Sequence, residues 1–262
     1  MRFVDSHTHL DFPAFARDRQ AVLAACVASG VERILLMGVS RNNWDSIRQL
    51  ARTSTSPRLY AAFGMHPLFL EQHQPEDLHA LRALLDDCRG GPICVAIGEI
   101  GLDYFVETLD RQRQQQLFEA QLQLAVEYRL PVILHVRRAH AATIATLKRF
   151  RLPRGGVVHA FSGSLEEARE YQRLGFMLGI GGAFTWPRAI RLQRVIKALP
   201  ATQLLLETDA PDMAPAFQAG ERNSPHYLPE IARQLALLRN EPLEQLAEQC
   251  WANSCQLFDW QA

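Results

Sequence analysis

The stretch RFVDSHTHLDF, residues 2–12, decides between two ways of folding this chain. It opens apolar, as a buried strand does, and closes on two histidines one residue apart. In an open, doubly wound α/β sheet the turn after the first strand normally carries a glycine-rich phosphate loop. Here that turn carries His7, Thr8 and His9. Side chains of a strand alternate between its two faces, so His7 and His9 point the same way and both can reach one metal ion. Two polar residues in a turn produce the same bare pattern, so the rest of the chain has to decide.

Outward from this stretch the same design recurs. With Phe3–His7 as the first, eight β-rich runs follow one another: 31–39 (VERILLMGV), 59–67 (LYAAFGMHP), 93–101 (ICVAIGEIG), 131–137 (PVILHVR), 156–161 (GVVHAF), 176–182 (FMLGIGG) and 204–211 (LLLETDAP). Segments of helical periodicity separate them. DRQAVLAACVASG (18–30) stops at Gly30, a common helix end. DRQRQQQLFEAQLQLAVEYR (110–129) spaces Leu117, Phe118, Gln121, Leu124, Ala125 and Tyr128 for one buried face. SLEEAREYQRLG (164–175) begins with a capping box of Ser164 and Glu167, and 226–257 reads as further helices. Continuously apolar strands alternating with helices imply a parallel sheet covered on both sides. Eight such units predict a closed (β/α)8 TIM barrel, a single domain over residues 1–262, with the open doubly wound sheet as the alternative.

Bulk properties narrow the partners. The chain is 48% hydrophobic and 21% charged, an ordinary globular composition, and its formal net charge is zero. No global positive field exists to hold long duplex DNA, which leaves room for an enzyme acting on a strand end. Nearly all basic residues are arginines, Lys148 and Lys197 being the exceptions. The five cysteines (Cys26, Cys88, Cys94, Cys250, Cys255) contain no C-x-x-C pair, and the N-terminus shows no secretory pattern. Reduced thiols in a cytoplasmic protein are expected. No apolar run approaches the ~20 residues that span a bilayer.

In such a barrel the active site lies at the C-terminal rim of the strands. The predicted strands end in His7 and His9, His66, Glu99, His135, His159 and Asp209. A lone histidine after a strand is normally a satisfied polar residue. So many at one rim is a different matter, because neutral imidazole is a strong metal ligand and carboxylates supply charge and bridges. Four of these five histidines with the glutamate and the aspartate make about the inventory for two divalent cations roughly 3.5–4 Å apart.

Six ordered motifs, DSHTHLD, GMHP, GEIGLDY, LHVRRA, HAFSG and ETDAP, span residues 5–211 and together resemble the TatD family of metal-dependent hydrolases and deoxyribonucleases, a branch of the amidohydrolase-like (β/α)8 enzymes. The resemblance implies that His7, His9 and Asp209 hold one ion, that His135 and His159 complete a second, and that Glu99 bridges both. It places His66 at the site as a substrate or supporting contact, and Arg137 and Arg222 against phosphate. Two positions depart from the family pattern: Ser224 stands where an acidic residue is common, and Gln256 where arginine is. Neither is an implied ligand; Ser224 bears on substrate choice.

The mechanism expected from these residues is hydrolysis by water activated between two cations. Asp209 accepts the proton, and Arg137 and Arg222 steady the phosphate. Histidine-rich ligation suits zinc or manganese, while carboxylates also admit magnesium. Glu207, two residues before Asp209, is expected to orient a ligand histidine from deeper in the barrel, and Asp103 to fix the loop after Glu99. The expected substrate is a phosphodiester, DNA at ends or single strands, with no membrane and no obligate protein partner. A cyclic amide, a lactone or a small phosphoester remains an alternative on the same scaffold, and a non-catalytic metal-binding protein is a third.

Overall fold

The computed structural model describes residues 1–261; Ala262, the last residue of the expected domain, lies outside them. Eight parallel strands run in sequence order: β1 (Phe3–Thr8), β2 (Val31–Met37), β3 (Arg58–Phe63), β4 (Cys94–Asp103), β5 (Val132–Arg137), β6 (Gly156–Val158), β7 (Phe176–Ile180) and β8 (Leu204–Leu206). Helices fill the gaps: α1 (Arg19–Ser29), α2 (Arg41–Thr53), α3 (Pro75–Cys88), α4 (Arg111–Tyr128), α5 (His140–Leu147), α6 (Leu165–Arg173) and α7 (Ile190–Ala198). After β8 come α8 (Leu228–Arg239) and α9 (Leu243–Phe258). This is the (β/α)8 barrel.

The ring closes between β8 and β1 without a full ladder. Thr8 bridges Ala210, the His9 N–H donates to the Ala210 carbonyl at 2.8 Å, and the Asp209 N–H donates to the His7 carbonyl at 2.9 Å. Below them the buried Asp5 carboxylate accepts from the Thr208 N–H at 3.0 Å and from its hydroxyl at 2.6 Å. Backbone bonds therefore tie the two ends of the ligand-bearing sequence together. The predicted eighth run, 204–211, leaves strand geometry after Leu206 because Thr208 and Asp209 turn their N–H groups to β1.

The unbroken apolar runs are explained by burial of both strand faces. Ile34 and Leu36 of β2 pack outward with the helices, while Leu35 and Met37 point into the barrel with Tyr60, Ala62, Val95 and Ile133. Leu204 and Leu206 of β8 face out, and Leu205 faces in. The inner layer is sealed at its lower end by Leu257 and Phe258 of α9, with Trp260 stacked on Tyr60 at 4.1 Å. Local signals also hold. The Ser164–Glu167 box caps α6 with reciprocal bonds of 2.6 and 3.2 Å, and α1 ends on left-handed Gly30. All five cysteines are unpaired, and no described helix is long and apolar enough to cross a membrane.

Candidate metal centre

Two strand irregularities aim the polar groups. Pairing of β1 with β2 is interrupted between Asp5 and Thr8, and pairing of β4 with β5 between Ile97 and Ile100. Bulges of this kind bend a strand and redirect its side chains. The first interruption spans His7, and the second contains Glu99. Gly98 lets β4 approach β5 closely, since a Cβ there would lie 2.6 Å from that of Ile133.

Glu99 is the hub. Its Oε2 faces one group: His7 Nε2 at 3.2 Å and His9 Nε2 at 3.6 Å, with Asp209 Oδ1 at 3.3 and 3.5 Å from those two nitrogens. Its Oε1 faces another: His159 Nε2 at 2.9 Å, His66 Nε2 at 2.9 Å and His135 Nδ1 at 3.2 Å. All six residues singled out as ligands thus gather at one mouth, joined by His66. Asp209 reaches its place with φ +59°, a left-handed conformation that is uncommon for a residue with a Cβ and recurrent at functional sites.

The donor chemistry fits divalent cations. Nε2 of His7, the nitrogen that faces Glu99 and Asp209, is buried without a well-aligned hydrogen-bond partner among the described residues. A buried polar atom left so costs roughly 1–3 kcal/mol, and a cation held between imidazole and carboxylate removes that cost. Outer contacts set the ring orientations. Asp103 Oδ2 lies 2.9 Å from His135 Nε2 and takes its N–H, so Nδ1 keeps a free lone pair toward Glu99 and the centre. The other Asp103 oxygen accepts the N–H groups of Phe105 and Val106, fixing the loop after β4. His66 is set the opposite way: its Nδ1 accepts the Leu68 N–H at 3.0 Å, so in the neutral ring Nε2 carries the proton. That tautomer makes His66 a hydrogen-bond donor rather than a ligand.

Glu207 lies below the rim, fully buried. Its Oε1 accepts the Ala160 N–H at 2.5 Å and stands 3.9 Å from His159 Nδ1, beyond hydrogen-bond range. It supports His159 through the adjoining backbone at Ala160. Space for it exists because residue 179 is glycine; a Cβ there would run into the Glu207 carboxylate.

Burial alone would raise the Glu99 pKa, but the imidazoles of His66, His159 and His7 outweigh it and hold the carboxyl well below its ordinary range. Burial would likewise raise Asp209, and the His9 hydrogen bond with the charges of His159 and His7 brings it down instead. Burial pushes His7 down to about 4 and His66 down to about 4. His159 goes the other way, to about 10, because Glu99 overrides desolvation. Burial raises Glu207 to about 8.

Above the cluster opens a cavity of about 470 Å³. Arg137 lines it from the end of β5, with its guanidinium 3.7 Å above the Phe105 ring. Arg222 departs from the phosphate-facing expectation. Its fork binds Asp18 through both oxygens at 3.0 and 2.6 Å and lies over Phe15, and it is absent from the cavity wall. The carboxylate just before α1 offers that fork a bidentate partner, which a motif match does not reveal. Ser224 hydrogen-bonds His226 at 2.7 Å, and Gln256 is exposed on α9. Two contributions escaped the sequence reading: Asp5, whose carboxylate holds the seam beneath His7, and the apolar wall of Phe12, Leu68, Phe69 and Met213. Asp5 carries a signal, standing two residues before His7 in a strand whose interior should be apolar.

Comparison with known proteins agrees with this geometry. Residues 4–259 match the family model described as TatD related DNase. An uncharacterized metal-dependent hydrolase, YjjV of Escherichia coli K12, is 43% identical over 258 residues, covering 98% of both chains. The 3'-5' ssDNA/RNA exonuclease TatD of a Pantoea species is 36% identical, covering 97% of this chain and 98% of its own. The crystal structure of YjjV superposes with a TM-score of 0.95, covering 99% of each chain. Six acid and imidazole side chains converge on one rim of a closed barrel, in a sequence matched from end to end, and the chain accordingly belongs to the TatD-related DNase family of metal-dependent hydrolases.

Proposed function

We propose that the protein is a two-cation phosphodiesterase acting on nucleic acid at single strands or strand ends, from a site carried by one domain over residues 1–262. The observation that supports this most is the division of labour at Glu99, whose two oxygens each address a separate set of imidazoles. His7, His9 and Asp209 would hold one cation and His135 and His159 the other, with Glu99 available to both. Bound there, divalent ions supply Lewis acidity toward water and toward the scissile phosphate. Magnesium, manganese and zinc all suit this mixed nitrogen and oxygen set.

The chain's own groups do the rest. Asp209 engages His7 and His9 through Oδ1, and its Oδ2 is the acceptor for the proton of the attacking water. His66 lines the cavity and directs its Nε2–H at Glu99 Oε1, 2.9 Å away; with that oxygen engaged by a cation, the N–H would be a donor for a phosphoryl oxygen. Arg137 meets a phosphate as a fork already held against Phe105, so less freedom is lost on binding. The apolar wall of Phe12, Phe69 and Met213 suits an unstacked base. The same wall supports a second reading, hydrolysis of a small lactone or cyclic amide. Relatives named 3'-5' ssDNA/RNA exonucleases favour the first. The unpaired cysteines fit a cytoplasmic enzyme.

The test is a substrate panel of single-stranded DNA, RNA, a generic phosphodiester and a lactone, each with added magnesium, manganese or zinc and with chelator. Metal-dependent shortening of the single strands is expected, and Glu99→Gln should lower it at least about 1,000-fold with the circular dichroism spectrum unchanged. Wild-type turnover in Glu99→Gln, or lactone hydrolysis alone, refutes the reading.

A further inference from the structure

A second cavity, of about 610 Å³, opens at the opposite end of the barrel from the metal centre. Its walls come from the starts of β2, β3 and β4, the segments before β5 and β6, and the residues that follow α9. Among the described residues, four arginines line it, Arg33, Arg58, Arg129 and Arg154, against a single acid, Asp259. In a chain whose charges cancel overall, a local surplus of three positive charges in one concavity is unusual.

The four guanidinium groups divide into two kinds. Arg33 donates to the Gln261 carbonyl at 2.8 Å and lies 4.5 Å over Trp251, while Arg154 donates to the Leu257 carbonyl at 3.0 Å. These contacts fix both forks against the end of α9, yet they leave the charge uncancelled because carbonyls are neutral. The one ion pair in the groove among the described residues joins Arg154 to Asp259 at 3.7 Å, and that acid is 86% exposed. Arg58 and Arg129 are exposed, and neither guanidinium makes a hydrogen bond or ion pair to any described residue. Arg58 is steadied by the Tyr60 ring, 5.4 Å away, and Arg129 projects from the left-handed residue that ends α4.

Fixed cations beside uncommitted forks, with Arg58 in direct register next to Arg33 on the neighbouring strand, are an arrangement that multidentate phosphate recognition uses. The volume is that of a small-molecule site rather than a surface dimple. We propose that this groove is a second ligand site, separate from the metal centre, that binds a small anion carrying two or more phosphate groups, such as pyrophosphate or a nucleoside diphosphate.

Calorimetric titration of the metal-loaded full-length protein with pyrophosphate, and separately with ADP, tests this directly. Wild type should bind at least one of the two small anions, and Arg58→Glu/Arg129→Glu should weaken that event at least tenfold. Metal-dependent hydrolysis of a generic phosphodiester should stay within twofold. Both positions are solvent-facing, and Arg58→Gln/Arg129→Gln, expected to weaken binding less, covers any loss of solubility on charge reversal. Equal affinity in wild type and variants overturns the proposal. So does a wild type that binds neither small anion, or one that binds only a single-stranded oligonucleotide in the same assay. None of these results alters the reading of the metal centre, whose own test is Glu99→Gln.

Discussion

At the scale of single residues, the centre works through which lone pair each imidazole presents. Asp103 takes the Nε2–H of His135 and so leaves its Nδ1 lone pair free toward Glu99. Removing that charge with Asp103→Asn should lower the affinity for one of two cations about 10–100-fold while the other is nearly unchanged, as equilibrium dialysis would show. Protonation gives a second expectation. Glu99 holds the His159 proton to about pH 10, so protein stripped of metal by chelation carries that proton at neutral pH. Ion binding must expel it. Affinity should therefore rise with pH up to that value, by about tenfold per unit for each proton released, and fall as the solution is acidified. Calorimetry in buffers of different ionisation heat reads the proton count; uptake rather than release would contradict the assignment of His159. The imidazoles themselves were legible from sequence because each closes an apolar run. The tautomers of His66 and His135 were not, since they depend on partners at Leu68 and Asp103.

At the scale of elements, six of the eight strands serve both as core and as mounts for one or two polar groups at their ends, while β2 and β7 contribute core alone. β7 nonetheless shows how tightly the two duties are coupled. Gly179 has no side chain because the Glu207 carboxylate occupies that space from the direction of β8. Gly179→Ala should destabilise the fold by about 1–3 kcal/mol through overpacking, and should weaken cation binding because Glu207 loses the Ala160 N–H. Chemical denaturation and dialysis measure the two effects. A stable variant with normal metal affinity would mean that Glu207 has no positioning role. The long helix α4 was readable from its apolar spacing, and Phe118, Gln121, Leu124 and Ala125 are buried as expected. Gln121 is buried for a reason no periodicity contains: its amide pairs with both the N–H and the carbonyl of Met65, beside His66. The run at 204–211 reads as one strand in sequence, yet its second half serves the seam.

At the scale of the whole molecule, closure of the ring is what brings residues 7 and 209 together, and the metal centre sits across that closure. Cations that bind the folded ring and not the open chain should stabilise it. At a hundred times their dissociation constant the gain is about 2.7 kcal/mol, roughly 5–10 °C in melting temperature for a chain of this size. Thermal denaturation with and without chelator checks this, and an unchanged melting point would mean that no cation is bound across the seam. The number of strands, their alternation with helices and the polar residues that close six of them are properties of the linear sequence, because burial on both faces demands long apolar runs and the rim alone tolerates charge. Which lone pairs converge, how Asp5 and Thr208 lock the last strand to the first, why Arg222 turns to Asp18, and how four distant arginines come to share the lower groove were decided only by the tertiary structure. Those relations join positions far apart in the chain, and only the closed ring brings them within a few ångströms of one another.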